Sequence, residues 1–145
     1  MLKGIPEVLS PELMCTLMEM GHGDELVLAD GNFPATSHAR RLVRADGHGV
    51  PKILEAVLQF LPLDTFVESP AAVMQPVDDN ATAPPIWQDF RDLMTAAEGR
   101  NVPLEFVDRF AFYERAKKAF AIVATGETAI YANLILKKGV VSNCK

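Results

Sequence analysis

The sequence predicts an α/β fold, a single three-layer domain with a central sheet covered by helices. Segments with helical periodicity alternate along the chain with short apolar runs that suit buried strands. The chain has 145 residues, of which 49% are apolar and 23% are charged, as expected for one soluble globular domain. Since no internal repeat or domain linker interrupts the pattern, we expect one domain over residues 1–145.

The first third of the chain is predicted to form a helix and two strands. Ser10 is the expected N-cap of the helix, Pro11 suits its first turn, and Gly21 ends it. The run "ELVLAD" is too short for a helix and is predicted to be a buried strand that ends at Asp30. We expect a loop or short turn in "GNFPATSHAR" and a second strand in "RLVRADG".

The rest of the chain repeats the alternation of helices and strands. A helix is predicted in "GVPKILEAVLQFLPLD", with Pro51 near its start, and a strand in "SPAAVMQPV". The polar, proline-closed stretch "DDNATAPP" is expected to be a loop before the amphipathic helix "IWQDFRDLMTAAEG". A strand, a helix and a strand follow in residues 103–127. The last predicted strand, "AIYANLILKKGVV", places Tyr131 and Asn133 on one face.

Composition excludes several classes of function. The formal net charge of -5 argues against nucleic acid and membrane surfaces as partners. The N-terminus lacks the apolar core of a signal peptide, and no apolar run is long enough to span a bilayer. Cys15 and Cys144 are expected to be reduced thiols of a cytoplasmic protein. His38 and His48 are too isolated for a zinc site, and no phosphate-binding loop is present, so we expect neither a zinc site nor phosphate-loop chemistry.

Residues able to carry chemistry surround the predicted strand at "ELVLAD". His22 precedes the strand and is either a proton shuttle or a cation at the end of a helix. Asp30 follows it, where α/β proteins bind ligands, or else caps the next turn. Tyr113, Tyr131 and Asn133 are further candidates, or else ordinary core and strand residues. Together these groups suit a small, neutral, polyhydroxylated ligand.

The stretches "MLKGIPEVLSPELM", "EMGHGDELVLADGNFP", "RFAFYERAKKAFAIVATGE" and "LILKKGV" resemble the ribose pyranase/fucose mutarotase family. The resemblance extends from the first residue to about Val140 and is weakest between about Ser69 and Val102. The Arg-Phe-Ala-Phe-Tyr-Glu-Arg stretch is similar to the fucose branch rather than the ribose branch. The resemblance implies a three-layer α/β enzyme that interconverts sugar anomers without a cofactor or metal.

The resemblance also implies roles for individual residues. His22 matches the family's proton donor, and Ala132 replaces the glycine of the family's Tyr-Gly-Asn motif, with little expected effect. Members form ring-like homo-oligomers, often decamers, with sites near subunit interfaces, and we expect the same here. Residues that match sugar-binding positions are Asp30, Asp64, Arg109, Tyr113, Tyr131 and Asn133.

The chemistry of a hemiacetal then defines the expected mechanism. Ring opening needs a proton delivered to the ring oxygen and another removed from the anomeric hydroxyl. His22 is the expected donor, and Asp30 is expected to hold sugar hydroxyls and to keep His22 charged. The resemblance to the fucose branch implies that the substrate is L-fucose. A D-ribose pyranase-type mutarotase, a non-catalytic monosaccharide-binding protein, and a hydrolase or isomerase that acts on a sugar remain the alternatives.

Overall fold

The computed structural model describes residues 1–78 and 80–142, which form six strands and five helices. Cys144, one of the two expected thiols, lies outside the described residues. The helices are α1 (Pro11–Glu19), α2 (Ala35–His38), α3 (Val50–Val57), α4 (Ile86–Glu98) and α5 (Arg109–Lys118). The strands are β1 (Glu25–Ala29), β2 (Leu42–Ala45), β3 (Ala71–Met74), β4 (Leu104–Val107), β5 (Ala121–Thr125) and β6 (Leu134–Lys137).

The strands form one mixed sheet in the order β2-β5-β1-β6-β3-β4. β1 is parallel to β5 and antiparallel to β6, so its Val27 lies between Ile122 and Ile135. β6 is also antiparallel to β3, and the outer strands β2 and β4 are parallel to their neighbours. The first five strands therefore run in the same direction and only β6 opposes them. We call the edge where those five strands end the carboxyl edge, and the edge where they begin the amino edge.

Two apolar clusters, one on each face of the sheet, create the three layers. Leu26 and Leu28 of β1 pack with residues of α1, α3 and α4, whereas the alternate residues Val27 and Ala29 pack with α2 and α5. This alternation follows from the twofold side-chain period of a strand. The predicted α/β fold, with a central sheet covered by helices, is confirmed.

Most predicted elements are present, and the differences are an additional short helix and the extent of the last strand. Ser10 caps α1 by accepting a hydrogen bond from Leu13 N at 3.1 Å, as the sequence indicated. The stretch expected to be a loop or turn contains the one-turn helix α2. The prediction for the last strand was wrong in its extent, because β6 begins only at Leu134. Tyr131 and Asn133 therefore precede the strand, and their placement does not come from strand alternation.

Candidate active site

Asp30 and Asn133 form an interlocked pair at the carboxyl edge. The Asp30 backbone N–H donates to Asn133 Oδ1 at 2.7 Å, and Asn133 Nδ2 donates to Asp30 Oδ2 at 3.2 Å. The second carboxylate oxygen accepts from Asn32 N at 3.0 Å. Both side chains are buried, and buried polar groups hold a fixed geometry when their hydrogen bonds are satisfied. Burial raises the pKa of Asp30 above its ordinary value, and the hydrogen bonds from Asn32, Phe33 and Asn133 only partly oppose this effect.

Tyr131 stands beside this pair in an unusual backbone conformation. Its φ of 54° is in the left-handed region, where residues other than glycine are uncommon. Trp87 Nε1 donates to the Tyr131 carbonyl oxygen at 2.9 Å, and the Tyr131 hydroxyl accepts from Val77 N at 3.2 Å. Such backbone strain persists only where surrounding contacts maintain it, and it is concentrated at functional sites. Ala132, expected to have little effect, is fully buried in the core between the two site residues.

Arg109 and Tyr113 lie one turn apart on α5, which begins directly after β4 at the same edge. Asp108 caps this helix by accepting hydrogen bonds from the backbone N–H groups of Phe110 and Ala111. The Tyr113 ring lies 5.6 Å from the ring of Phe33, which belongs to the loop after Asp30. The structure thus brings Asp30, Arg109, Tyr113, Tyr131 and Asn133 to the carboxyl edge, and we call these five residues the carboxyl-edge half-site.

A cavity of about 390 Å³ opens at the carboxyl edge and is bordered by Asp30, Phe33 and Arg44. A second cavity, of about 640 Å³, lies beside Tyr131 between the loops that follow β3 and β5. Both volumes are within the range of small-molecule pockets. The carboxyl edge therefore combines buried hydrogen-bonding groups with space for a small ligand.

His22 and Asp64 meet at the opposite end of the sheet. His22 Nε2 lies 3.1 Å from Asp64 Oδ1, although 42 residues separate the two in the sequence. Asp64 N donates to the carbonyl oxygen of Lys137 at the end of β6, which positions the aspartate at the amino edge. The Asp64 side chain is buried, whereas 45% of the His22 side chain is exposed. This arrangement leaves an imidazole at the surface with a carboxylate behind it.

The surroundings of Asp64 keep its carboxyl group ionised. Burial by itself raises the pKa of Asp64, but hydrogen bonds from Phe66 N and His22 and the positive charges of His22 and Lys137 outweigh it. The pKa of Asp64 is therefore below its ordinary value. A carboxylate that remains negative can orient the His22 ring through the contact with Nε2.

Three positions that the sequence reasoning missed support the two groups of residues. Phe66 packs its ring against His22, with centroids 5.2 Å apart, and Trp87 holds the carbonyl of Tyr131. A Cβ atom on Gly139 would lie 2.9 Å from the Cα of Asp64, so only glycine leaves room for this backbone. Their partners are distant in sequence, and local patterns therefore carried no signal for them. We call His22, Asp64 and Phe66 the amino-edge half-site.

The expected proximity of Asp30 to His22 is wrong for a single chain. Asp24 and Asp30 flank the five-residue strand β1, and six steps of about 3.3 Å place them about 20 Å apart. His22 precedes Asp24, so Asp30 cannot keep it charged within the same chain. Asp64, predicted only as a further sugar-binding position, is the carboxylate that contacts His22. The other two carboxylates near β1 are bound to groups other than His22. Asp24 accepts a hydrogen bond from Gly21 N, and Glu25 forms an ion pair with Arg115.

Comparison with known proteins decides the family. Residues 3–141 match the RbsD/FucU transport protein family. This chain belongs to the RbsD/FucU family. The resemblance seen in the sequence is thereby confirmed, over nearly the same residues.

Relatives in the RbsD/FucU family are similar along their whole length. The chain is 56% identical to the fucose mutarotase of Homo sapiens, and the alignment covers 97% of this chain and 95% of that protein. It is 47% identical to the L-fucose mutarotase of Histophilus somni (strain 2336), with 97% of each chain covered. Among solved structures, the fucose mutarotase of Streptococcus pneumoniae in complex with L-fucose superposes with a TM-score of 0.92. That pair has 49% sequence identity and covers 97% of this chain and 100% of the other.

The described residues contain neither a metal-binding cluster of acidic, His or Cys side chains nor a membrane-spanning helix. Within residues 1–78 and 80–142, no group of three or more His, Cys, Asp or Glu side chains is arranged to hold a metal ion. Over the same residues, every helix is too short or too polar to cross a bilayer.

The opposite pKa shifts of Asp30 and Asp64 predict opposite effects of acid on stability. The pKa of Asp30 is raised on folding, so its contribution to the free energy of unfolding increases as the pH falls through that pKa. The pKa of Asp64 is lowered, so its contribution is present above the ordinary carboxyl pKa and is lost as the pH falls through the folded value. Urea unfolding of the wild type, Asp30→Asn and Asp64→Asn, at equal protein concentration from neutral pH to about pH 3, measures both contributions.

We expect the stability difference between the wild type and Asp30→Asn to grow in favour of the wild type towards acid. The difference between the wild type and Asp64→Asn should instead shrink. Two differences that change in the same direction would show that one of the two environments has been assigned wrongly.

Proposed function

We propose that this protein interconverts the α and β anomers of L-fucose by acid–base opening and reclosure of the sugar ring. The observation that carries the proposal is the His22–Asp64 pair, because it provides the proton-transferring group that this reaction needs. The relatives named above are fucose mutarotases, and one solved relative contains L-fucose. The carboxyl-edge half-site provides the hydrogen-bonding groups for a polyhydroxylated ring.

His22 is proposed to deliver the proton to the ring oxygen. Asp64 Oδ1 accepts a hydrogen bond from Nε2 of the imidazole, which leaves Nδ1 as the atom that faces the sugar. In the protonated ring both nitrogens carry hydrogen, so Nδ1 donates while the Asp64 carboxylate stabilises the positive charge. After ring opening, the aldehyde rotates about its bond to C2 and recloses on its other face, and Nδ1 takes its proton back.

The carboxyl-edge half-site is proposed to hold the sugar. The Asp30 carboxylate and the Asn133 amide suit sugar hydroxyls, since both are already oriented by mutual hydrogen bonds. Tyr131 and Arg109 supply further hydrogen-bonding groups. The hydroxyl of Tyr113 or of Tyr131 is proposed to relay the second proton: its oxygen takes the proton of the anomeric hydroxyl while its own proton passes to solvent water, and the relay runs in reverse when the ring closes.

Two chains are needed to complete this site. The half-sites lie about 20 Å apart in one chain, measured along β1, so a monosaccharide cannot touch both. They meet if the amino edge of one protomer faces the carboxyl edge of its neighbour. Contacts of this head-to-tail kind close into rings, and we propose a ring-like homo-oligomer. Its proposed size, a decamer of two rings, comes from the family resemblance alone. Exposed apolar side chains at both edges, including Phe66 and Phe110, suit burial in such contacts.

We retain the cytoplasm as the proposed location. The described thiol, Cys15, is exposed and free. Glu19, one helical turn away, raises its pKa and so disfavours the reactive thiolate. An unpaired surface thiol of this kind suits a reducing compartment.

Saturation-transfer NMR on L-fucose and D-ribose tests the catalytic proposal. Chelator-treated protein is expected to accelerate exchange between the α and β signals of L-fucose without added metal or nucleotide. Faster exchange of D-ribose alone would support the ribose pyranase alternative. Binding of either sugar with no change in exchange rate would identify a non-catalytic binding protein instead.

A further inference from the structure

Phe66 presents an exposed aromatic ring beside the proposed proton donor. Its relative exposure is 76%, and its ring centroid lies 5.2 Å from that of His22, with the two planes inclined by 52°. Its backbone N–H donates to Asp64 Oδ1 at 3.1 Å, the same oxygen that His22 Nε2 contacts. Asp64 Oδ1 therefore fixes the position of Phe66 relative to His22, because it contacts both residues.

The position of Phe66 beside His22 indicates which group of the bound sugar it would contact. If His22 donates to the ring oxygen, the groups nearest the donor are the two carbons bonded to that oxygen, C1 and C5. C1 carries the anomeric hydroxyl, which is polar and must exchange a proton. C5 carries a methyl group in L-fucose, a hydroxymethyl group in L-galactose and only hydrogen in D-arabinose, while the remaining ring stereochemistry of the three sugars is the same. An aromatic face beside the donor is complementary to the C5 methyl group and not to the anomeric hydroxyl.

We propose that Phe66 packs against the methyl group on C5 and thereby makes the enzyme selective for 6-deoxyhexoses. The inference rests on the proposed function, because it uses the ring oxygen as the atom that His22 protonates. Burial of one additional methyl group in an apolar pocket changes kcat/KM by about 10-fold or more. The extra hydroxyl of L-galactose would lose water against an aromatic face, which offers it only a weak partner.

The three sugars provide the test, with exchange rates measured by NMR at sub-saturating sugar for the wild type, Phe66→Leu and Phe66→Ser. We expect the wild type to favour L-fucose over D-arabinose by about 10-fold and Phe66→Leu to keep most of this preference. Phe66→Ser should exchange the two sugars at nearly equal rates, and its discrimination against L-galactose should decrease. Phe60→Ser, which alters another exposed phenylalanine, is the matched control and should leave all three ratios unchanged.

The ratio of the exchange rates of two sugars is measured on one sample of each variant. A general loss of folded or assembled protein lowers both rates equally and leaves this ratio unchanged. If Phe66→Ser slows all three sugars equally, Phe66 only supports His22 or the subunit contact, and the inference is wrong. If the wild type accelerates exchange of L-fucose but shows no preference over D-arabinose, the inference is also wrong while the proposed function stands. A wild type that accelerates none of the sugars would overturn the proposed function, and the inference with it.

Discussion

Replacement of His22 by alanine is expected to lower the rate of anomer exchange by ~10²–10⁴-fold, the usual contribution of a general acid. Sugar binding should survive, because the groups proposed to hold the hydroxyls lie at the other edge of the chain. Asn133→Ala should behave differently, since loss of one neutral hydrogen bond weakens binding by about 1 kcal/mol. Exchange rates at saturating and limiting sugar, measured with the affinity of each variant, separate the two effects.

His48→Ala is the matched control for the histidine replacement. His48 lies in the loop after β2 and belongs to neither half-site, so the variant should exchange L-fucose at the wild-type rate. The part of the wild-type pH profile that depends on the general acid should vanish in His22→Ala. Wild-type exchange by His22→Ala would contradict the assignment and transfer the role of acid to Tyr113 or Tyr131.

Co-assembly of two inactive variants is expected to restore activity if neighbouring chains share each site. His22→Ala damages the amino-edge half-site, and Asp30→Asn damages the carboxyl-edge half-site. In a ring assembled at random from equal amounts of the two, about a quarter of the contacts join an intact amino edge to an intact carboxyl edge. Activity should therefore rise from the low level of either variant to about a quarter of the wild-type rate.

A mixture with both lesions on one edge provides the control for this experiment. His22→Ala and Asp64→Asn damage the same half-site, so no contact in their mixed ring contains an intact pair. Each mixture is unfolded and refolded together, and exchange of L-fucose is compared with that of the separately refolded variants. Equal, unrestored activity in both mixtures would show that each site is built within one chain, and a monomer in light scattering would contradict the ring directly.

Local sequence signals predicted most of the fold because they depend on neighbours in the chain. Ser10 and Pro11 specify the start of α1, and the apolar run before Asp30 specifies a strand covered on both faces. The predicted extent of the last strand was wrong because strand alternation assumes an extended backbone. Tyr131 instead adopts a left-handed conformation, which the contact with Trp87 supports from 44 positions away. No local pattern contains that contact.

The sequence by itself determined the α/β class, the family resemblance and the chemical types of the site residues, since each depends on residue identity or short spacing. Only the tertiary structure decided which of these residues lie in contact. It paired His22 with Asp64, interlocked Asp30 with Asn133, and separated the two pairs along the length of β1. The physical reason is the sheet topology, since five strands run in one direction and residues at the two ends of a strand cannot meet within one chain.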